Sequence, residues 1–124
     1  MEKVLTKYSS SGHYTPGIIS NGILYISGQT STNPETNMRV EGGIKAETQM
    51  VLKKLNMLLE SANVTKNDVI MCRVYVSDIK YWPDVNEVYS QFFGEHKPAR
   101  VVVPTRELNR GCLVEIEAMA EVNN

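Results

Sequence analysis

The amino-acid sequence predicts an α+β fold, a single sheet with two helices on one face, in the chain order β-β-β-α-β-α-β-β. Three observations carry this. Two segments repeat apolar residues at the three-and-four spacing of a helix, several short runs have the composition of strands, and Gly, Pro and Asn clusters punctuate them. Two helices can cover only one face of a sheet that wide. The chain has 124 residues, the size of one domain with its own core, and shows no repeat, low-complexity tract or linker. One domain spanning 1–124 is therefore expected.

Residues 1–8 read as a short opening strand, and Ile18 to Ser27 as a hairpin. Asn21-Gly22 is its two-residue turn signal, because both residue types tolerate positive φ. The stretch from Gly28 to Asn37 is rich in turn formers and reads as a loop. From Gly43 to Ala62 the apolar positions Ile44, Val51, Leu52, Leu55, Leu58, Leu59 and Ala62 mark an amphipathic helix. A polar link, 63–68, leads to a strand over 69–76. Ser77 and Asp78 offer capping oxygens, and Pro83 suits a first helical turn. Val85, Val88, Tyr89, Phe92 and Phe93 stripe the second helix, which Gly94 ends. Strands over about 99–105 and 113–122 follow, joined by the polar, turn-like segment 107–111.

Alternation assigns the faces. Val114, Ile116, Ala118, Ala120 and Val122 share one parity, as do Ile70, Cys72, Val74 and Val76, and these are the expected helix-covered positions. The other parity holds Val69, Met71, Arg73, Tyr75, Leu113, Glu115, Glu117, Met119 and Glu121, joined by Ile23 and Tyr25. That face is too apolar for one left to water, so a second subunit is expected to cover it in a closed homo-oligomer.

Composition excludes several classes. Hydrophobic residues make up 42% and charged residues 22%, which fits neither disorder nor a membrane protein. Net charge is −1 with no basic stripe, which argues against a nucleic-acid partner. The N-terminus lacks a signal-peptide core, and no apolar run approaches the roughly 20 residues of a membrane span. A cytoplasmic protein with two reduced, buried thiols, Cys72 and Cys112, is the expectation.

No GxGxxG, GxxxxGK[ST], metal-spaced Cys/His cluster or nucleophile elbow occurs, so neither a nucleotide-phosphate cradle nor a metal site is expected. A small polar set remains. Arg100 opens a strand otherwise made of Val101, Val102 and Val103. It reads either as a strand-edge charge paired with a carboxylate or as a guanidinium fork for a ligand carboxylate. Glu115, on the partner-facing side of the last strand, suits either a pairing with Arg100 or the positioning of a water or amine. Glu117, two residues on, reads as a charge at an interface rim. Tyr14 lies in a Gly- and Pro-bounded loop, where a hydroxyl can pack or orient a ligand.

Taken together, Tyr14, Ile26-Ser-Gly-Gln29, Asn33-Pro34, Val85-Asn-Glu-Val-Tyr89, Pro98-Ala-Arg100 and Val114-Glu-Ile-Glu-Ala118 resemble the RidA/YjgF family of enamine/imine deaminases, over roughly residues 12–122. The resemblance implies a chorismate-mutase-like homotrimer, with the sheets forming a central barrel and a ligand cleft at each subunit interface. It implies hydrolysis of 2-aminoacrylate-type enamines and imines, such as 2-iminobutanoate and 2-iminopropanoate, to 2-keto acids and ammonia, without cofactor. By motif, Arg100 would anchor the substrate carboxylate and Glu115 would hold water. Tyr14 and Asn86 would line the cleft, and the Gly28 backbone would meet the ligand near its imine end. The chain departs from the family at Val101-Val102, where Ser or Thr and then a small residue are usual, and at Leu108-Asn109, where Leu-Pro is usual. Val102 shares a strand face with Arg100 and would narrow the pocket. The alternative function is a sensing module that binds a 2-keto acid or amino acid and modulates a partner protein; a ribonuclease reading lacks a basic patch and a histidine acid/base pair.

Overall fold

The hairpin forms where Asn-Gly predicts it. The computed structural model describes residues 1–8 and 12–122. In it β2 (Gly17–Ser20) and β3 (Ile23–Thr30) meet at Asn21 and Gly22, whose φ angles are 51° and 77°. Positive φ at both positions matches the turn to the strands' own twist. β1 (Glu2–Val4) is shorter than expected and pairs antiparallel with β2. β3 runs further than its turn-forming composition predicts. Gly28, Gln29 and Thr30, expected in a loop, belong to the strand, because Gln29 and Thr30 pair with Ile116 and Glu115 beyond a bulge that begins after Ile26.

α1 (Gly43–Ser61) buries Val51, Leu52, Leu55, Leu58 and Leu59, the stripe its spacing demands. A turn capped by Thr65 and Asp68 then delivers the chain into β4 (Val69–Val76). Asp78 accepts from the Lys80 backbone N–H at 2.9 Å and caps a single turn that runs into α2 (Trp82–Phe93). Pro83 lies in the first turn of α2, and Gly94, at φ 66°, ends it. Just beyond, His96 Nε2 donates to the Val69 carbonyl at 2.7 Å, tying the chain back to β4.

β5 (Ala99–Pro104) lies parallel to β4 at one edge of the sheet, whose order is β1-β2-β3-β6-β4-β5. β6 (Val114–Glu121) is antiparallel to both β3 and β4 and sits between them. The element order is the predicted one, and both helices pack on one face. Leu24, Ile26, Cys72, Val74, Val76, Val114, Ile116, Ala118 and Ala120 form the sheet side of the core beneath them.

One predicted face assignment is reversed. Ile70, expected under the helices, is 39% exposed, whereas Val69, expected on the open face, is 2% exposed. A register irregularity between Val69 and Met71, opposite β6, inserts one residue and inverts the alternation at the start of β4. From Cys72 onward the predicted parity holds. The open face thus presents Ile70, Tyr25 and Val101, all exposed, with Met71, Met119, Arg73, Tyr75 and Glu117 among them. On it Tyr75 donates to Glu117 at 2.5 Å, and Arg73 lies 3.7 Å from the same carboxylate.

Candidate functional site

Six residues carry the predicted chemistry, and one chain gathers them into two clusters rather than one. Strand register separates them. Arg100 pairs with Cys72, which faces the helices, while Glu115 pairs with Tyr75, on the open face. Arg100 and Glu115 therefore stand on opposite faces of the sheet, and the pairing between them that the sequence allows is not made within the chain.

In the first cluster β5, at the sheet edge, presents Arg100 to the start of α2. Its guanidinium carbon lies 4.5 Å from the ring centre of Trp82 and 4.8 Å from that of Tyr89. One guanidinium nitrogen donates to the Asn86 side-chain carbonyl at 3.0 Å. Two π faces and one amide oxygen hold the fork without neutralising it. Among the described residues no carboxylate pairs with Arg100, which removes the reading of an ordinary strand-edge ion pair. Trp82, Asn86 and Tyr89 lie at i, i+4 and i+7 of α2, which is why one helix face reaches one guanidinium. Cys72 lies beneath, fully buried, and burial pushes its thiol above its usual range. Burial likewise raises the Tyr89 phenol far above its ordinary value. Both groups stay neutral, so the arginine is the charge of this cluster. Val102, two residues along, is half-buried and packs against the core.

The second cluster surrounds the far end of β3. Because β2 pairs with β3 only as far as Ile26, the edge of β3 beyond it is free of a neighbouring strand. A cavity of about 110 Å³ opens there. Tyr14, Gly28, Thr30, Thr32, Lys54 and Arg110 help to line it. Gly28 sits in the bulged stretch, and a Cβ built there would run into the Glu115 carboxylate. Glycine thus lets the carboxyl of β6 lie against the backbone of β3. Burial is the main cause that raises the Glu115 pKa; Glu117 adds to it and Lys54 opposes it. Lys54 donates to the Thr30 carbonyl at 2.9 Å and to Thr32 Oγ1 at 3.1 Å, and burial lowers the pKa of its amine.

A buried carboxylate braces this second cluster. Glu47 on α1 is 0% exposed and accepts from Ser31 at 2.6 Å, from the Leu113 backbone N–H at 2.9 Å and from Arg39 Nε at 2.9 Å. It joins α1 to two segments, the 31–40 loop at both its ends and the approach to β6, and every partner it needs is present. Sequence reasoning missed Glu47, Lys54, Trp82 and Tyr89 as site residues. The signal for Glu47 was there, since it and Thr48 break the apolar stripe of α1 between Ile44 and Val51 where the spacing wants an apolar residue.

Fold and site together define a small α+β protein with, among the described residues, an arginine that no carboxylate pairs on one strand and a shielded carboxyl on another. Residues 5–122 match the family model described as Endoribonuclease L-PSP, and the chain belongs to this family, that of the RidA/YjgF proteins its motifs resemble. A RutC family protein of Pyrococcus horikoshii is 42% identical over 88% of this chain and 86% of its own. The human 2-iminobutanoate/2-iminopropanoate deaminase is 33% identical over 88% of this chain and 80% of its own. YyfA of Yersinia pestis, from the conserved Rid protein family, superposes with a TM-score of 0.93 at 37% identity, covering 98% of both chains.

Proposed function

We propose that this protein is a cofactor-independent imine deaminase acting on 2-imino acids and the enamines that tautomerise to them. The observation that carries the reading is Arg100, a guanidinium fixed by two aromatic rings and Asn86 and lacking a carboxylate partner among the described residues. A planar fork so held suits bidentate capture of a substrate carboxylate. The likeness to a deaminase-named human protein supports the choice of reaction.

Since Arg100 and Glu115 stand on opposite faces of one sheet, the site is completed by a second copy in a homotrimer. Arg100, Asn86 and the Val102 wall come from one subunit, and Glu115, Gly28 and Tyr14 from its neighbour. The open sheet face, with Tyr25, Ile70 and Val101 exposed, is apolar enough to be buried in such an assembly. The bound iminium carbon is already electrophilic, so the protein has to hold it and one water in register. Water adds to that carbon while Glu115 takes its proton. The same carboxyl returns that proton to nitrogen; as the C–N bond breaks and the carbonyl forms, Glu115 takes the remaining hydroxyl proton, and a 2-keto acid and ammonia leave. A carboxyl with a raised pKa is suited to both transfers, a step worth about 10²–10⁴-fold.

The test is hydrolysis of imines generated by an amino-acid oxidase, compared with Arg100→Ala. Loss of turnover with an intact oligomer is expected. Full activity in that variant removes Arg100 from the site, and tight keto-acid binding without turnover in the parent protein favours sensing over catalysis.

A further inference from the structure

We propose that the cavity at the free edge of β3 is a second carboxylate subsite, and that it directs the protein toward imines derived from acidic amino acids. The proposal rests on the imine-deaminase reading and extends it to the substrate's side chain.

Charge is the first argument. The ionic side chains lining the cavity are two cations, Lys54 and Arg110, and no aspartate or glutamate lines it. Glu115 interacts with Lys54 electrostatically, but it lies behind Gly28 and is not part of the wall. With Glu115 acting on Lys54 and Glu35 accepting from Tyr8 at the rim, Arg110 is the wall's unpaired cation among the described residues, and the field in the cavity favours an anionic ligand.

Donor count is the second. A lysine ammonium has three donors, and Lys54 uses two of them on Thr30 and Thr32, which fix its position and leave one over. Arg110 makes no hydrogen bond or ion pair among the described residues, in contrast to Arg39, which is committed to Glu47. The Arg110 backbone is left-handed, at φ 57° and ψ 24°, a conformation a non-glycine residue seldom adopts.

Shape is the third. Pro16, Pro34, Met57 and Leu58 give the cavity apolar surface for a short methylene chain. Gly28 lines this cavity and also lies against the Glu115 carboxylate, so the two adjoin. In the proposed assembly, where a neighbour's Arg100 takes the 1-carboxylate beside Glu115, the adjoining cavity offers Lys54 and Arg110 to a second carboxylate on the substrate's side chain. Imines of aspartate and glutamate have that form, and those of alanine and leucine do not.

Two measurements on the full-length protein decide it. Imines made by oxidases from aspartate or glutamate and from alanine or leucine are compared in the parent protein, Arg110→Gln and Lys54→Gln, with thermal unfolding as the control for folding. Arg110 is exposed and unpaired, so its variant should fold even if Lys54→Gln does not. The acidic imines are expected to have the higher kcat/KM, and each variant should lower that preference about tenfold, mainly through KM, as loss of one charged hydrogen bond implies. Separately, succinate and inorganic phosphate are titrated calorimetrically into Arg100→Ala, so that the anchor does not contribute. Succinate binding that Arg110→Gln weakens about tenfold supports the subsite even if no imine is hydrolysed, in which case the deaminase reading alone fails. Turnover of imines with no acidic preference, or a preference untouched by both variants, overturns the subsite and leaves the deaminase. Phosphate binding more tightly than succinate overturns its assignment to carboxylates.

Discussion

The two clusters differ in how they hold a charge. At the β5 edge Arg100 is held by the faces of Trp82 and Tyr89 and one amide oxygen, all of which leave its charge uncompensated. At the β3 edge the ionic groups other than Arg110 are engaged from within. Glu47 meets Arg39, Lys54 caps backbone and hydroxyl oxygens, and Glu115 is shielded against Gly28. The first arrangement leaves a cation without a counter-charge, and the second neutralises or shields most of its charges within the wall. A fixed cation needs only a neutral cradle, whereas a buried carboxylate needs a full set of partners or a shifted pKa.

Substitutions can break this contrast in order of expected size. Glu47→Ala leaves the Ser31 hydroxyl and the Leu113 N–H without their partner, while Arg39, 40% exposed, keeps access to water. It should cost about 1–3 kcal/mol for each buried group left unsatisfied in denaturant unfolding, the largest of the effects considered. A loss under 1 kcal/mol would mean that the 31–40 loop is held by other contacts. Arg100→Lys keeps the charge and loses the planar fork, so imine turnover should fall about 10- to 150-fold, matching the roughly 1.5–3 kcal/mol of a charge-assisted hydrogen bond. Unchanged kcat/KM would show that charge alone suffices. Trp82→Leu keeps apolar bulk and removes one π face. KM should rise by a few-fold, in line with the ~0.5–1 kcal/mol of an exposed cation–π contact, with kcat spared.

The smallest effect is one of pH. Glu115 has its folded pKa raised, so its protonated form is the one the fold favours. Relative to Glu115→Gln, the parent protein should be level at pH 4 and lose stability as pH climbs from the ordinary carboxylate range through the raised value. Thermal unfolding of both proteins from pH 4 to 7 measures this. A gap that stays constant across that range would place Glu115 in a more watery setting than Gly28 and Lys54 provide.

How much of this was legible depends on what each residue's neighbours reveal. The element order and both helices follow from spacing, and the parity of β6 follows from alternation between small apolar and acidic residues. Ile70 and Val69 exchanged faces because both are apolar, so nothing in their chemistry announces a bulge. Gly28 to Thr30 read as loop because turn-forming residues also build bulged strand ends. The separation of Arg100 from Glu115 was hidden for a related reason. Val101, Val102 and Val103 are apolar on both faces of β5, and the alternation that would have shown which way Arg100 points is absent. The stacking of Trp82 and Tyr89 on Arg100 depends on how α2 lies over an edge strand, which no local pattern encodes.

The place of β6 has a consequence for how the chain comes to be folded. β3 and β4 are separated by a gap one strand wide, and the segment that fills it is the last strand in the chain. During synthesis the earlier strands can assemble only as two partial sheets with facing, unpaired edges, and the polypeptide must wait for its final stretch to join them. Such long-range closure makes for slow folding and a window in which exposed edges invite association with other chains. The same strand carries Glu115, so a chain that has acquired this carboxyl is one whose sheet is ready to close.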